Sequence, residues 1–260
     1  MKKSQILLLS CSVLVLAACA GPTYRVDAGA MFVVANGDIA LQNAAGSLEL
    51  GQNQNNLDDN MGLGETEVSP YLRVQMDSDK HRVRVHGFGM DAEGSGNLAG
   101  GNFGDIPAGT PVTTEMQFLA INANYAYELF RNKDVRIAGG LQLAYYSLDI
   151  AARTTSGSGR EEVQTDALVP YPFLEVEGFR GDFSAGANAS IMALNVGDGS
   201  GRYWDAEAYV RWEGTIDRAN LDVMVGYRYI LLDAYGNASG RDFDADVDFN
   251  GFFLSAGIRF

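Results

Sequence analysis

The sequence has few cysteines and no apolar run long enough for a membrane-spanning helix. Its two cysteines, Cys11 and Cys19, both lie near the N-terminus of the 260-residue chain. A chain that begins at Cys19 would have one cysteine, so it could form no internal disulfide. A spanning helix needs about 20 consecutive apolar residues, and no segment reaches that length. Membrane insertion of the mature chain would therefore have to use strands, because only helices and closed barrels satisfy the backbone hydrogen bonds in lipid.

Positive charge is also scarce. The chain has 19 Lys and Arg residues against 33 Asp and Glu residues, a formal net charge of −14, which becomes −16 once Lys2 and Lys3 are removed. This acidity argues against a nucleic-acid partner, while an acidic surface can attract divalent cations. We find no motif for a cofactor and expect none to be bound.

The first residues have the pattern of a secretory signal: Lys2 and Lys3, an apolar run from Ile6 to Leu16, and then small residues. The four residues Leu16-Ala17-Ala18-Cys19 resemble the lipobox of bacterial lipoproteins, whose cysteine is lipidated after cleavage just before it. The resemblance implies a signal peptide at 1–18, a mature domain at 19–260 and a lipid anchor at Cys19, attached by lipoprotein-processing machinery. A conventional signal cleaved near Ala20 or Gly21 is the alternative.

Hydrophobic periodicity is close to two through most of the remaining chain, which predicts strands. In the last segment, alternate residues from Phe252 to Phe260 are apolar, whereas Ser255, Gly257 and Arg259 lie on the other face. Similar segments precede it. The pattern predicts ten strands, at about 24–34, 67–77, 81–91, 115–130, 135–150, 167–179, 182–195, 202–214, 220–234 and 243–260.

Short and long connections alternate along these strands, as in bacterial outer-membrane barrels. The long connections, rich in Gly, Asn and Ser, are predicted at 35–66, 92–114, 151–166 and 235–242. We predict an all-β fold, a single antiparallel up-and-down transmembrane β-barrel of about ten strands, with eight to twelve possible. A soluble lipocalin-like barrel or sandwich is the alternative. Aromatic residues near the ends of the apolar faces, like an interfacial girdle, favour the membrane barrel.

The terminal strand that ends at Phe260 resembles the closing strand that barrel-assembly machinery recognises in outer-membrane proteins of Gram-negative bacteria. This resemblance implies a location in the outer membrane and assembly by that machinery. It also implies contact with outer-membrane lipids and lipopolysaccharide. The expected oligomeric state is a monomer. The pattern matches no specific named family.

If the apolar faces contact lipid, the lumen receives charges of both signs. The expected luminal residues are Arg73, Arg82, Arg84, Arg136, Arg211, Arg228 and Arg259, with Glu128, Glu175, Glu177, Asp205, Glu207, Glu213 and Asp222. Charges withdrawn from water must pair, and a barrel of about eight strands is filled by its own side chains. We therefore expect a paired, plugged lumen, with a narrow solute channel as the alternative.

Catalytic motifs are missing: the sequence has no G-x-S-x-G, H-E-x-x-H or C-x-x-C segment. His81 and His86 differ in parity, so they should point to opposite faces of one strand. We expect no catalytic residue and a structural, surface-interaction or envelope-maintenance role. The alternative is a barrel-embedded enzyme that modifies lipid A or phospholipid, using His86 and a luminal carboxylate.

One acidic run is a weak candidate for divalent cations. Asp246, Asp248, Asn250 and Gly251 fit the start of a calcium-binding loop, but its twelfth position falls on Gly257 instead of Glu. The segment is therefore predicted to be a strand. Its carboxylates could attract cations that bridge lipopolysaccharide phosphates; they belong to Asp242, Asp244, Asp246 and Asp248.

Overall fold

A computed structural model describes residues 21–196, 199–216, 219–238 and 240–260. These residues form one antiparallel sheet in which the first strand pairs with the last, so the sheet closes into a barrel. No helix in the described part of the chain is long and apolar enough to cross a membrane. The predicted signal peptide at 1–18 and Cys19 lie outside the described residues.

The strands follow each other around the barrel in chain order. Their bounds are β1 Thr23–Leu41, β2 Asn55–Asn56, β3 Glu67–Ser78, β4 His81–Asn97, β5 Pro111–Arg131, β6 Val135–Thr154, β7 Arg160–Arg180, β8 Phe183–Val196, β9 Gly199–Ile216, β10 Ala219–Ala238 and β11 Arg241–Arg259. A 3₁₀ helix at Leu50–Gln52 precedes β2. The two-residue β2 pairs only with β1, so the wall built by the described strands has ten strands, as the sequence predicted.

The closing seam lies between β1 and β11. Their register runs from Arg25 opposite Arg259 to Leu41 opposite Phe243. Beyond the last strand residue, Tyr24 and Phe260 exchange two backbone hydrogen bonds, of 2.8 Å from the Tyr24 N–H and 3.0 Å from the Phe260 N–H. The segment that resembles a closing strand is therefore the strand that closes the barrel.

A band of apolar side chains faces outward around the wall. On β7 it runs from Leu168 to Val176 and on β11 from Phe252 to Phe260, nine residues on each strand. A tilted strand needs about 9–11 residues to cross the hydrocarbon core of a bilayer. Leu141 and Phe252 are 65% and 64% exposed. A soluble barrel buries its apolar face, so this band favours the membrane barrel.

All four predicted long outer loops are shorter than expected, because the strands continue above the apolar band. β4 and β5 extend to Asn97 and from Pro111, and β6 and β7 extend to Thr154 and from Arg160. In this upper region the outward side chains are polar and the inward ones apolar, the reverse of the lower region. The sequence prediction ended strands where outward apolar residues stopped, and that criterion was wrong above the membrane band.

The upper half of the interior is an apolar core. The rings of Phe118 and Phe249 stack in it with centroids 3.6 Å apart. The connections after β1 and after β4 fold over it and bury six further apolar side chains, those of Leu57, Met61, Leu63, Leu98, Phe103 and Ile106. The barrel interior thus has a polar lower half and an apolar upper half.

Candidate functional site

The lower half of the lumen holds a network of ion pairs. All fourteen charged side chains that the sequence assigned to the lumen take part in at least one pair. The pairs include Arg73–Glu207, Arg82–Glu177, Arg84–Glu175, Arg136–Glu128, Arg211–Glu177, Arg228–Asp205, Arg259–Glu213 and Arg25–Asp222. The expectation of paired luminal charges is confirmed in the described residues.

Glu175 on β7 is the centre of this network. Its carboxylate contacts Arg82 at 2.6 Å and Arg84 at 2.5 Å, and it also pairs with Arg136. These arginines come from β4 and β6, on either side of β5, so the network ties strands together across the lumen. Glu175 is buried, as are Arg84 and Arg136. Buried charges of this kind need both Coulomb attraction and hydrogen bonds to offset their desolvation.

Two pairs of this network lie higher in the lumen. Arg73 pairs with Glu207, and both side chains are fully buried. The Arg73 guanidinium also lies over the ring of Tyr209, 5.6 Å from its centroid. Arg228 pairs with Asp205 at 2.8 Å, and the same carboxylate accepts hydrogen bonds from nearby amides, those of Asn122 at 2.8 Å and Gln142 at 2.9 Å.

The sequence analysis missed two luminal charges on β1, Arg25 and Asp27. Arg25 contacts Glu213 at 2.5 Å and Asp222 at 3.0 Å, and Asp27 is fully buried. The signal was present, because alternate residues of a strand face opposite sides. Since Tyr24 is on the outward face, Arg25 and Asp27 had to face the lumen. Only the apolar face of this strand was considered.

Below the network, the lumen opens into a polar cavity of about 450 Å³ at the end of the barrel where Phe260 lies. Arg82, Arg136 and Glu177 form part of its lining. The same side chains belong to the ion-pair network. The network therefore closes the upper end of this cavity.

The two histidines point to opposite faces of β4, as predicted. His81 is exposed, and its Nδ1 lies 2.8 Å from the Tyr125 hydroxyl. His86 is buried in the lumen, with its Nδ1 3.9 Å from the Glu207 carboxylate and 3.3 Å from the Arg228 guanidinium. The luminal carboxylate nearest to His86 is thus Glu207, which is itself held by Arg73. A substrate would have to displace this packing to reach either group.

The acidic run lies on β11, so the strand prediction is confirmed there. The four carboxylates of Asp242, Asp244, Asp246 and Asp248 are on the outward face above the apolar band. Asp246 lies opposite Asp38 on β1 and Asp233 on β10. Partial burial, and then the neighbouring Asp233, raise the pKa of the Asp246 carboxyl. A row of like charges is therefore unfavourable here unless cations screen it.

Among the residues that the structure describes, no three His, Cys, Asp or Glu side chains are grouped so as to hold a metal ion. The attraction of divalent cations to the acidic row stays a prediction. Screening by cations between this row and lipopolysaccharide phosphates would not need a chelating site.

Comparison with solved structures agrees with the barrel architecture. The outer membrane protease OmpT from Escherichia coli superimposes with a TM-score of 0.54, at 10% identity, over 95% of this chain and 99% of that chain. The outer membrane protein AlkL (TM-score 0.37, 13% identity, 94% and 93% covered) and the Pseudomonas putida toluene transporter TodX (0.30, 9%, 93% and 90%) are less similar.

No family model matches the chain, and no curated protein matches its sequence. At 10% identity, the likeness to OmpT concerns the fold and carries no activity with it. The chain has the fold of an outer-membrane β-barrel, with no specific family assigned, as the sequence predicted.

Proposed function

We propose that this chain is a lipid-anchored barrel of the bacterial outer membrane with a structural, surface-interaction or envelope-maintenance role, and that its lumen does not conduct solutes. The proposal includes no enzymatic step. It places the anchor at Cys19 and the barrel in contact with outer-membrane lipids and lipopolysaccharide. The single observation that carries the proposal is the filling of the lumen.

Two layers of side chains fill the lumen. In the lower layer most charged side chains are paired with one another, the buried Asp27 being an exception, so little charge is left to attract a permeating ion. In the upper layer, apolar side chains of the wall and of the connections pack against each other. A solute would have to break buried ion pairs, each costly to separate, and then cross the apolar layer.

The first prediction concerns conductance. The purified barrel is expected to give no steady single-channel conductance in a planar lipid bilayer. Replacing Arg73 and Glu207 by serine together with Phe118 and Phe249 by alanine removes large side chains from both layers without leaving either charge alone, and should produce a measurable ion current. The matched control replaces the exposed pair Arg160 and Glu162 by serine and should stay silent. A steady current through the unmodified protein would contradict the closed lumen.

A second prediction concerns the anchor. Cells that express the full chain with radioactive palmitate should yield a labelled outer-membrane protein that migrates faster on a gel before boiling. The Cys19→Ala variant should lose the label and keep the heat-dependent shift, because the barrel strands begin at Thr23. The variant with Ser10 replaced by alanine serves as a control. Label that persists in Cys19→Ala would remove the lipoprotein part of the proposal and leave the barrel intact.

A further inference from the structure

The barrel wall has a gap at its upper end between β7 and β8. Their ladder runs from Arg180 opposite Phe183 to Phe173 opposite Ser190 and stops there. β8 nevertheless continues to pair with β9 as far as Val196 opposite Gly199. β7 continues to pair with β6 as far as Arg160. Both strands are therefore present above Phe173, but there β7 is paired only with β6 and β8 only with β9.

Two prolines explain why the ladder stops. The N–H of Phe179 binds the Asp134 carbonyl on the β6 side at 2.8 Å. Since backbone N–H groups alternate in direction along a strand, those of even-numbered β7 residues face β8. Continued pairing would place Pro172 opposite Ile191 and Pro170 opposite Ala193. A proline has no N–H to donate, so both of these bonds are impossible.

A second ladder in the same barrel ends in the same way and shows how such a gap is filled. The β3–β4 ladder stops at Tyr71 opposite Phe88, and the next residue on β3 is Pro70. There the chain covers the gap itself: Gly62 approaches Ser95 of β4 closely, and Met61 and Leu63 are buried behind it. The Ser69 hydroxyl also donates to the Gly89 carbonyl at 2.6 Å.

A mainly apolar cavity of about 380 Å³ lies at the β7 edge of this gap. Its lining includes Val169 on the inner face of β7 and Leu168 on the outer face, so the cavity reaches around the free edge of this strand. Leu168 is 63% exposed, whereas Val169 is buried. The remaining apolar lining comes mainly from β9, β10 and β11 and includes Tyr203, Leu232, Phe243, Ala245 and Val247.

The entrance lies at the upper boundary of the apolar band. On β7 the outward residues change from Leu168 to Asp166 at this level, and on β9 they change from Trp204 to Arg202. The cavity is closed below, where Tyr171 donates a hydrogen bond to Tyr146 at 3.3 Å. It therefore opens toward the boundary between acyl chains and head groups and does not continue through the barrel.

We propose that this cavity binds one acyl chain of a lipid from the surrounding leaflet, which enters between β7 and β8. An empty cavity loses dispersion contacts along its apolar side chains, and an acyl chain restores them. The backbone N–H group of Ala193 points toward β7 beyond the last pair of the ladder. An ester oxygen of a lipid can accept this hydrogen bond, which a plain hydrocarbon cannot do.

The test uses the full chain in vesicles of phosphatidylethanolamine and phosphatidylglycerol that contain a phospholipid with a diazirine near the end of one acyl chain. After irradiation, mass spectrometry locates the adducts. We expect adducts on the inward-facing Tyr203, Phe243 or Val247 in addition to the outward-facing Leu168. Adducts confined to outward-facing residues would overturn the proposal.

Two variants make the test specific to this cavity. Ala245→Phe fills the cavity and should abolish the inward adducts while the adducts at Leu168 remain. Replacing Pro170 and Pro172 together by valine restores both N–H donors, so the ladder can extend and the inward adducts should also be lost. Pro70→Val, at the gap that the chain covers itself, is the matched control and should change nothing.

Two further comparisons keep the result interpretable. A heat-dependent shift on the gel identifies the variants that fold, and the proline variant carries the test if Ala245→Phe does not. A diazirine-bearing alkane distinguishes a lipid from a free hydrocarbon. Inward labelling by the alkane without inward labelling by the phospholipid would overturn the proposal. The cavity is separate from the ion-pair network, so a conducting lumen would neither produce nor remove the inward adducts.

Discussion

Replacing Glu175 by glutamine is expected to lower the free energy of unfolding of the barrel by about 3–5 kcal/mol, the usual cost of removing one partner from a buried ion pair. Glu175 is buried and pairs with Arg82, Arg84 and Arg136. Glutamine has nearly the same shape but no charge. The variant would therefore leave three buried guanidinium groups with too little negative charge around them.

The change can be measured by urea titration in detergent micelles, followed by the fraction of protein that keeps its heat-dependent gel shift. The matched control is Glu162→Gln, which removes one partner of an exposed ion pair on the same strand. Exposed pairs contribute about 0–1 kcal/mol, so its midpoint should move little. Equal midpoints for the two variants would contradict the central role of Glu175 in holding the wall strands together.

The Gly251→Ala variant is expected to lose most of the closed, heat-modifiable form. Gly251 lies on β11 opposite Val33 of β1, in the closing seam. A methyl group there would lie against the backbone carbonyl of Phe32, far inside van der Waals contact, and no side-chain rotation can relieve it. Gly29, on the other side of the seam, faces the Leu254 carbonyl in the same manner. The two strands approach each other too closely at these positions for any Cβ atom.

The control for this variant is Gly89→Ala on β4. A Cβ atom at Gly89 would lie 3.5 Å from the nearest heavy atom, the Leu119 Cδ1, which is an ordinary contact. Both proteins can be refolded from urea into detergent and compared by the yield of the fast-migrating form. A normal yield for Gly251→Ala would mean that the seam can open by more than an ångström without loss of closure.

Much of the barrel could be predicted because the face of a strand depends only on parity. Alternate residues from Phe252 to Phe260 face outward, and Arg73, Arg228 and Glu207 face inward, as the sequence indicates. The same rule would have placed Arg25 and Asp27 in the lumen. The upper strand ends were not predicted, because the side chains there reverse their polarity between inside and outside, and composition alone makes such segments resemble loops.

The sequence by itself determined the strands within the membrane band, their inner and outer faces and most of the charge of the lumen, since each depends on neighbouring residues. Tertiary structure alone decided which charges meet. Arg25 pairs with Glu213, and Arg73 with Glu207, because the register around the closed wall brings distant strands to the same height. It also decided that residues near Met61 cover one gap while the other opens into a cavity. These outcomes depend on the curvature of the closed sheet and on where each connection folds back, which no local pattern records.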